Sequence, residues 1–186
     1  DENNNFKPLP FSFERDSRAT VVNKDGLIEI VGNNMPRIDF KDDSEGALLL
    51  EPQSINLIEY SEDFSDSSWV RTGITLTPNA IISPSGLLDA TLVTNNVANQ
   101  KHLAPIVSIT DNTDYSYSFF IKRGNDDNYE LKLYNSTYTE HLSCVFNFST
   151  PQSLVITDSV TGGSYLDSDV KDFGNGWYRI ELSFTS

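Results

Sequence analysis

The sequence feature that most constrains this chain is the strict alternation of residues 177–184, Trp-Tyr-Arg-Ile-Glu-Leu-Ser-Phe. Successive side chains of a β-strand point to opposite faces, so Tyr178, Ile180, Leu182 and Phe184 share one side. Trp177, Arg179, Glu181 and Ser183 share the other. A strand of this kind needs an apolar surface opposite it and tolerates water behind it. The same period of two recurs at 115–123, 129–134, 141–148 and 154–157, with weaker runs at 89–94 and 102–109. Helical periodicity is almost absent, and residues 62–68 offer the one candidate helical turn. Short runs rich in Val, Ile, Thr, Tyr and Phe, separated by Gly, Asn, Asp and Pro, predict an all-β chain: an antiparallel β-sandwich or jelly roll.

Turn residues set the expected connections. Gly-Asn-Asp-Asp-Asn at 124–128 reads as a hairpin turn joining the runs at 115–123 and 129–134. Thr161-Gly162-Gly163 reads as another turn. The N-terminal third is punctuated more densely, with short apolar pieces around Val21, Leu27, Ile38 and Leu48. It is expected to be a lead-in of small hairpins over residues 1–52, followed by the sandwich over 53–186.

Composition narrows the partners. Aromatic residues are 11% of the 186, which argues against a disordered chain. Asp and Glu number 27 against 13 Lys and Arg, a formal net charge of −14. That field repels polyanions, so nucleic acid and anionic membrane surfaces are excluded as expected partners. No apolar run approaches the ~20 residues of a membrane span. Cys144 is the single cysteine, so no intrachain disulfide can form, and its place among Leu142, Phe146 and Phe148 predicts a buried thiol. The chain opens on Asp-Glu-Asn-Asn-Asn without an initiator Met, as a processed protein or an excised piece would.

Catalysis finds little support. There are two histidines, His102 and His141, but no Gly-x-Ser-x-Gly elbow and no His-Glu-x-x-His spacing. Among 27 acids some pair always exists, yet Glu130 and Glu181 alternate outward on strands as solvated residues do. No catalytic residue is assigned. Binding asks for less: hydrogen-bonding and aromatic side chains on a rigid sheet. On the run at 129–134, Tyr129, Leu131 and Leu133 turn inward, and Glu130, Lys132 and Tyr134 outward. On the run at 141–148, His141, Ser143, Val145 and Asn147 oppose the apolar set. If these strands share a sheet with 177–184, then Lys132, Tyr134, His141, Asn147, Arg179 and Glu181 line one polar, partly aromatic face. Such a face is also what a solvated sheet without a ligand presents, with Lys132 and Glu181 as a cross-strand pair. Trp69 and Trp177 read as packing anchors, and Tyr138 and Tyr165 as loop residues.

An ordered series of short motifs carries a resemblance. It runs through Ser17-Arg-Ala-Thr20, Asn23-Lys-Asp-Gly-Leu-Ile28, Pro36-Arg-Ile-Asp-Phe40, Gly46-Ala-Leu-Leu-Leu-Glu51, and Asn56-Leu57 to Tyr60-Ser-Glu-Asp-Phe64. It continues with Trp69, the run and turn at 115–124, and Gly174-Asn-Gly-Trp-Tyr-Arg-Ile180. The order resembles bacteriophage fibre and spike-type surface proteins, in which such a lead-in precedes a jelly-roll domain similar to carbohydrate-binding modules. The resemblance implies a non-catalytic sugar-binding or adhesin module at a virion surface or outside the cell, with a polysaccharide or cell-surface glycan as partner. The alternative is a structural virion module that assembles into a homo-oligomer or with other domains of a longer chain. It also implies a further strand after 177–184, leaving an exposed sheet edge, and a structural Ca2+ in oxygen-rich loops. Asn125-Asp-Asp-Asn128 and Asp167-Ser-Asp169 carry suitable ligands, although turn formation alone accounts for both.

Overall fold

The computed structural model describes residues 13–51, 54–96, 102–134, 140–150, 154–158 and 164–186. The chain is all-β with antiparallel sheets. It divides into two compact units, Asp1–Ile55 with Pro84–Leu88, and Asn56–Ser83 with Asp89–Ser186.

The first unit is built from two hairpins. Strands β1 (Ala19–Val22) and β2 (Ile28–Val31) pair with Val22 opposite Ile28. Their turn closes because the Asn23 side-chain oxygen accepts the N–H groups of both Asp25 and Leu27 at 3.0 Å, while Gly26 sits at φ 76°. Strands β3 (Ile38–Asp39) and β4 (Ala47–Leu48) form the second hairpin. Gly46 there is obligatory: at φ 82°, a Cβ would come within 2.6 Å of the Phe40 ring. Asp39 links the hairpins by accepting the Val22 N–H at 2.8 Å, and Arg37 meets Glu51 at 2.8 Å. Among the described residues, the buried apolar side chains of this unit are Val21 and Val22.

The second unit carries the sandwich. Strands β5 (Trp69–Thr72) and β8 (His102–Pro105) pair with each other, as do β6 (Ile74–Ile82) and β7 (Leu88–Asn95). Two three-stranded sheets follow. One has the order β10 (Asn128–Tyr134), β11 (Glu140–Asn147), β12 (Leu154–Asp158). The other has the order β13 (Ser164–Asp172), β14 (Trp177–Thr185), β9 (Asp114–Lys122). Their inner faces meet: Leu142, Cys144 and Leu182 are buried together, with Leu131, Leu133, Tyr165 and Phe184 packed against them. Phe146 and Ile180 are each 1% exposed, and the Tyr178 ring meets those of Phe146 and Phe148 at an angle, with centres 5.6 and 5.7 Å apart. Apart from Tyr165, which was expected in a loop, these are the apolar sets that the alternation assigns to the interior.

Two expected features turn out differently. The segment 124–127 is no hairpin turn: β9 pairs with β14 and β10 with β11, so the chain crosses from one sheet to the other there. Two strands that each carry one apolar face bury both faces better across a sandwich than side by side in one sheet. Strand β14 is central, paired on both sides, and the edges of its sheet are β13 and β9. Residues 62–68 form successive turns rather than a helical one, because the Asp63 and Asp66 carboxylates capture the N–H groups of Ser65 and Ser68 at 2.9 and 2.8 Å.

Candidate functional site

The separation into two sheets decides where the expected site residues lie. Lys132 and Tyr134 on β10 and Asn147 on β11 stand on the outer face of one sheet. Arg179 and Glu181 on β14 stand on the outer face of the other. The sandwich core lies between them, so the single six-residue surface expected from the alternation is not assembled. His141 is on β11, but its side chain falls outside the described residues. The charge partners differ accordingly: Lys132 meets Glu130 at 3.2 Å rather than Glu181.

On the β10–β11 face, Glu130 also accepts the Ser143 hydroxyl at 3.0 Å, and Asn147 donates to Asn128 at 2.6 Å. Tyr134 is half exposed beyond the last regular pair, where the register shifts. These polar groups are satisfied along the two strands, and no aromatic partner is brought beside Tyr134 among the described residues.

The β13–β14–β9 face is more fully built. Register places Lys171, Arg179 and Phe120 in one row, and Asp169, Glu181 and Ser118 in the next. Glu181 is the hub, meeting Arg179 with one carboxylate oxygen at 2.8 Å and Lys171 with the other at 3.7 Å. Lys171 also lies 3.6 Å from Asp169, and Arg179 donates to the Ser118 hydroxyl at 3.2 Å. At one end the face becomes aromatic. Phe120 and Phe173 meet edge to face at 4.9 Å, and Lys122 lies 5.9 Å from the Trp177 ring centre. At the other end it becomes a hydroxyl surface, with Ser116 and Ser183 sharing a hydrogen bond at 2.9 Å. Arg179 and Glu181 are about a third exposed, so they are held by neighbours yet reachable from solvent.

Phe120, Ser118 and Lys171 were not among the residues expected at a site, and Asp169 was expected only as a Ca2+ ligand. The alternation at 115–123 would have set Ser116, Ser118, Phe120 and Lys122 on one side. Strand β13 gave no such signal, because Ser-Tyr-Leu-Asp-Ser-Asp-Val-Lys-Asp is polar on both parities and bulged between Tyr165 and Asp167. Its Asp167-Ser-Asp169 segment lies in a strand rather than an ion-binding loop. Asp167 and Asp169 accept the N–H groups of the residues that follow them, each at 2.8 Å. In the other oxygen-rich segment, Asp127 meets Arg123 at 2.6 Å and Asp126 accepts from Asn95 at 3.3 Å. No group of three or more His, Cys, Asp or Glu side chains that could hold a metal occurs among the described residues. Tyr165 belongs to β13 and packs on the core, while Tyr138 falls outside the described residues.

Both tryptophans are tied down. Trp177 donates its indole N–H to the Ile82 carbonyl at 3.1 Å. Trp69, 5% exposed, donates to the Tyr60 carbonyl at 2.9 Å and meets Phe64 at 4.9 Å. Burial holds the Cys144 thiol at a pKa of about 11 and raises that of the Tyr117 phenol, so neither is a nucleophile at neutral pH. His102 meets the Thr72 hydroxyl at 3.2 Å across β5 and β8. No helix among the described residues is long and apolar enough to cross a membrane.

Compared with known proteins, the chain matches no family model and no curated protein sequence.

Proposed function

We propose that this protein is a non-catalytic carbohydrate-binding, adhesin-type module of a phage virion or an exported surface protein, of jelly-roll kind, and that glycan docks on the outer face of β13–β14–β9. The observation that carries this reading is the ion-paired cluster of Lys171, Arg179 and Glu181 bordered by the Phe120–Phe173 pair. Sugar rings offer C–H patches that pack on aromatic faces, and their hydroxyls need donors and acceptors held in fixed directions. Arg179 has five N–H donors, so its contacts to Glu181 and Ser118 leave capacity for a hydroxyl. The net charge of −14 weighs against nucleic acid and membrane surfaces as partners.

A screen of glycans and polysaccharides, run with calcium and with a chelator, tests the reading. Binding energy concentrates in a few aromatic and Arg residues. Arg179→Ala and Phe120→Ala are therefore expected to lose at least roughly tenfold in affinity, while Tyr134→Ala keeps it. The reverse pattern moves the site to the β10–β11 face. No saturable glycan for the folded protein ends the sugar reading. Loss of binding in chelator restores a place for structural Ca2+.

A second reading, a structural virion module that assembles without binding sugar, is favoured by the apolar surface of the first unit. Ile30, Ile38, Leu48 and Leu50 are 43–74% exposed there. Association that disappears in Leu50→Glu is its expected signature.

A further inference from the structure

We propose that β7 is an association edge, and that its partner is β7 of a second copy of this chain, related by a two-fold axis. The proposal is independent of what the β13–β14–β9 face binds. Among the described residues β6 and β7 pair only with each other, so each strand has one outer edge whose backbone groups face away from its partner. An isolated two-stranded ribbon is marginal in water, and an open edge is a template for another strand.

The two edges are not equivalent. Strand β6 is blunted: Pro78 has no N–H to offer, and Asn79 at φ 54° interrupts the extended run. Strand β7, Leu-Asp-Ala-Thr-Leu-Val-Thr-Asn, contains no Pro, Gly, Lys or Arg, and only Ala90 and Thr91 are half-buried. Ile81 and Ile82 are 42% and 57% exposed, and Leu92 and Val93 are 49% and 44% exposed. Neighbouring residues in a strand point opposite ways, so both faces of the ribbon are apolar and open.

Charge selects the occupant. Between Thr72 and Asn96 the only charged residue is Asp89, in a chain whose net charge is −14. The net charge sets two copies against each other overall, whereas this stretch brings few like charges together, and a partner that binds through charge finds little to grip. The strand is also complementary to itself. In a full-length antiparallel overlap Thr91 stands opposite Leu92, Ala90 opposite Val93, and Asp89 opposite Thr94, so the acids do not meet. The nearby Asp126 meets Asn95, at the end of the strand. One strand edge buries less than the roughly 800 Å² per partner of a standard interface, so a weak dimer is expected, forming between about 10 µM and 1 mM.

Sedimentation velocity of the full chain across that range, with amide hydrogen exchange at both ends of it, tests the proposal. A rise in mass towards a dimer is expected, together with slower exchange at β7 amides and unchanged exchange in β6. Thr91→Lys/Val93→Lys should abolish the dimer, while Thr77→Lys on β6 leaves it intact. A chain that stays monomeric throughout, or a dimer whose β7 amides exchange as fast as in the monomer, overturns the proposal. So does association lost in Leu50→Glu but kept in the folded β7 double variant, because the contact then lies in the first unit. The exchange measurement needs no substitution, so a misfolded variant does not spare the proposal.

Discussion

The first unit and the sandwich are written in the same alphabet of short alternating strands, yet they bury very different amounts. In the sandwich, Leu142, Cys144, Phe146, Ile180 and Leu182 are all at most 3% exposed. In the first unit the buried apolar residues, Val21 and Val22, are 7% and 9% exposed, and Leu50 is 74% exposed. Strand number is the cause. A three-stranded sheet offers a central strand with neighbours on both sides, and β11 and β14 supply every one of those five core residues. The strands of the first unit are only paired and have no central member, so Ile30, Ile38 and Leu48 keep a flank in water. What holds the first unit is polar instead: the Asn23 turn, the Asp39 bridge and the Arg37–Glu51 pair. Alternation therefore states that a strand has an inner face, and sheet width decides how far that face can be hidden.

The largest effect expected from this contrast is on stability. Leu182→Ala should destabilise by about 2–5 kcal/mol, as truncation of a buried leucine does. Val22→Ala should cost about 1–2 kcal/mol, the transfer value of two methyl groups. Urea unfolding of both variants makes the measurement, and equal losses would break the comparison. A second, smaller effect lies at high pH. The Cys144 thiol titrates higher when folded, so its contribution is complete below the unfolded value of 9.0 and is lost as pH rises towards about 11. Cys144→Ala should flatten that alkaline limb, leaving the part due to buried Tyr117. A limb unchanged by the substitution would assign it to Tyr117 alone. The smallest effect is local. The Ser65 hydroxyl and N–H hold the Asp63 carboxyl below its ordinary value, so Ser65→Ala should raise it, as an NMR titration would follow. Asp63 is fully exposed, and the overall stability should scarcely move.

Much of the fold was legible because alternation is a direct image of burial. The runs at 115–123, 129–134, 141–148, 154–157 and 177–184 all correspond to strands, and Ile180, Leu182 and Cys144 face the core as their parity requires. Three strands escaped for separate reasons. Polar β13 spends both parities on Asp and Ser, β6 is broken by Pro78 and Asn79, and β5 is only four residues long. Sheet membership was not legible either, since parity says inward or outward but not which of two sheets a strand joins. That gap split the expected site: Arg179 and Glu181 keep their face, while Lys132, Tyr134 and Asn147 belong to the opposite one.

The placement of the two tryptophans has an optical consequence. Trp69 is sealed against Phe64, whereas Trp177 stands half-buried beside Lys122 at the aromatic end of the β14 face. The molecule thus carries two intrinsic fluorophores, one screened from solvent and the other beside the surface where a glycan would land. Occupancy of that surface should shift or quench the emission of Trp177 and leave that of Trp69 as an internal standard, so binding can be read from the unlabelled protein.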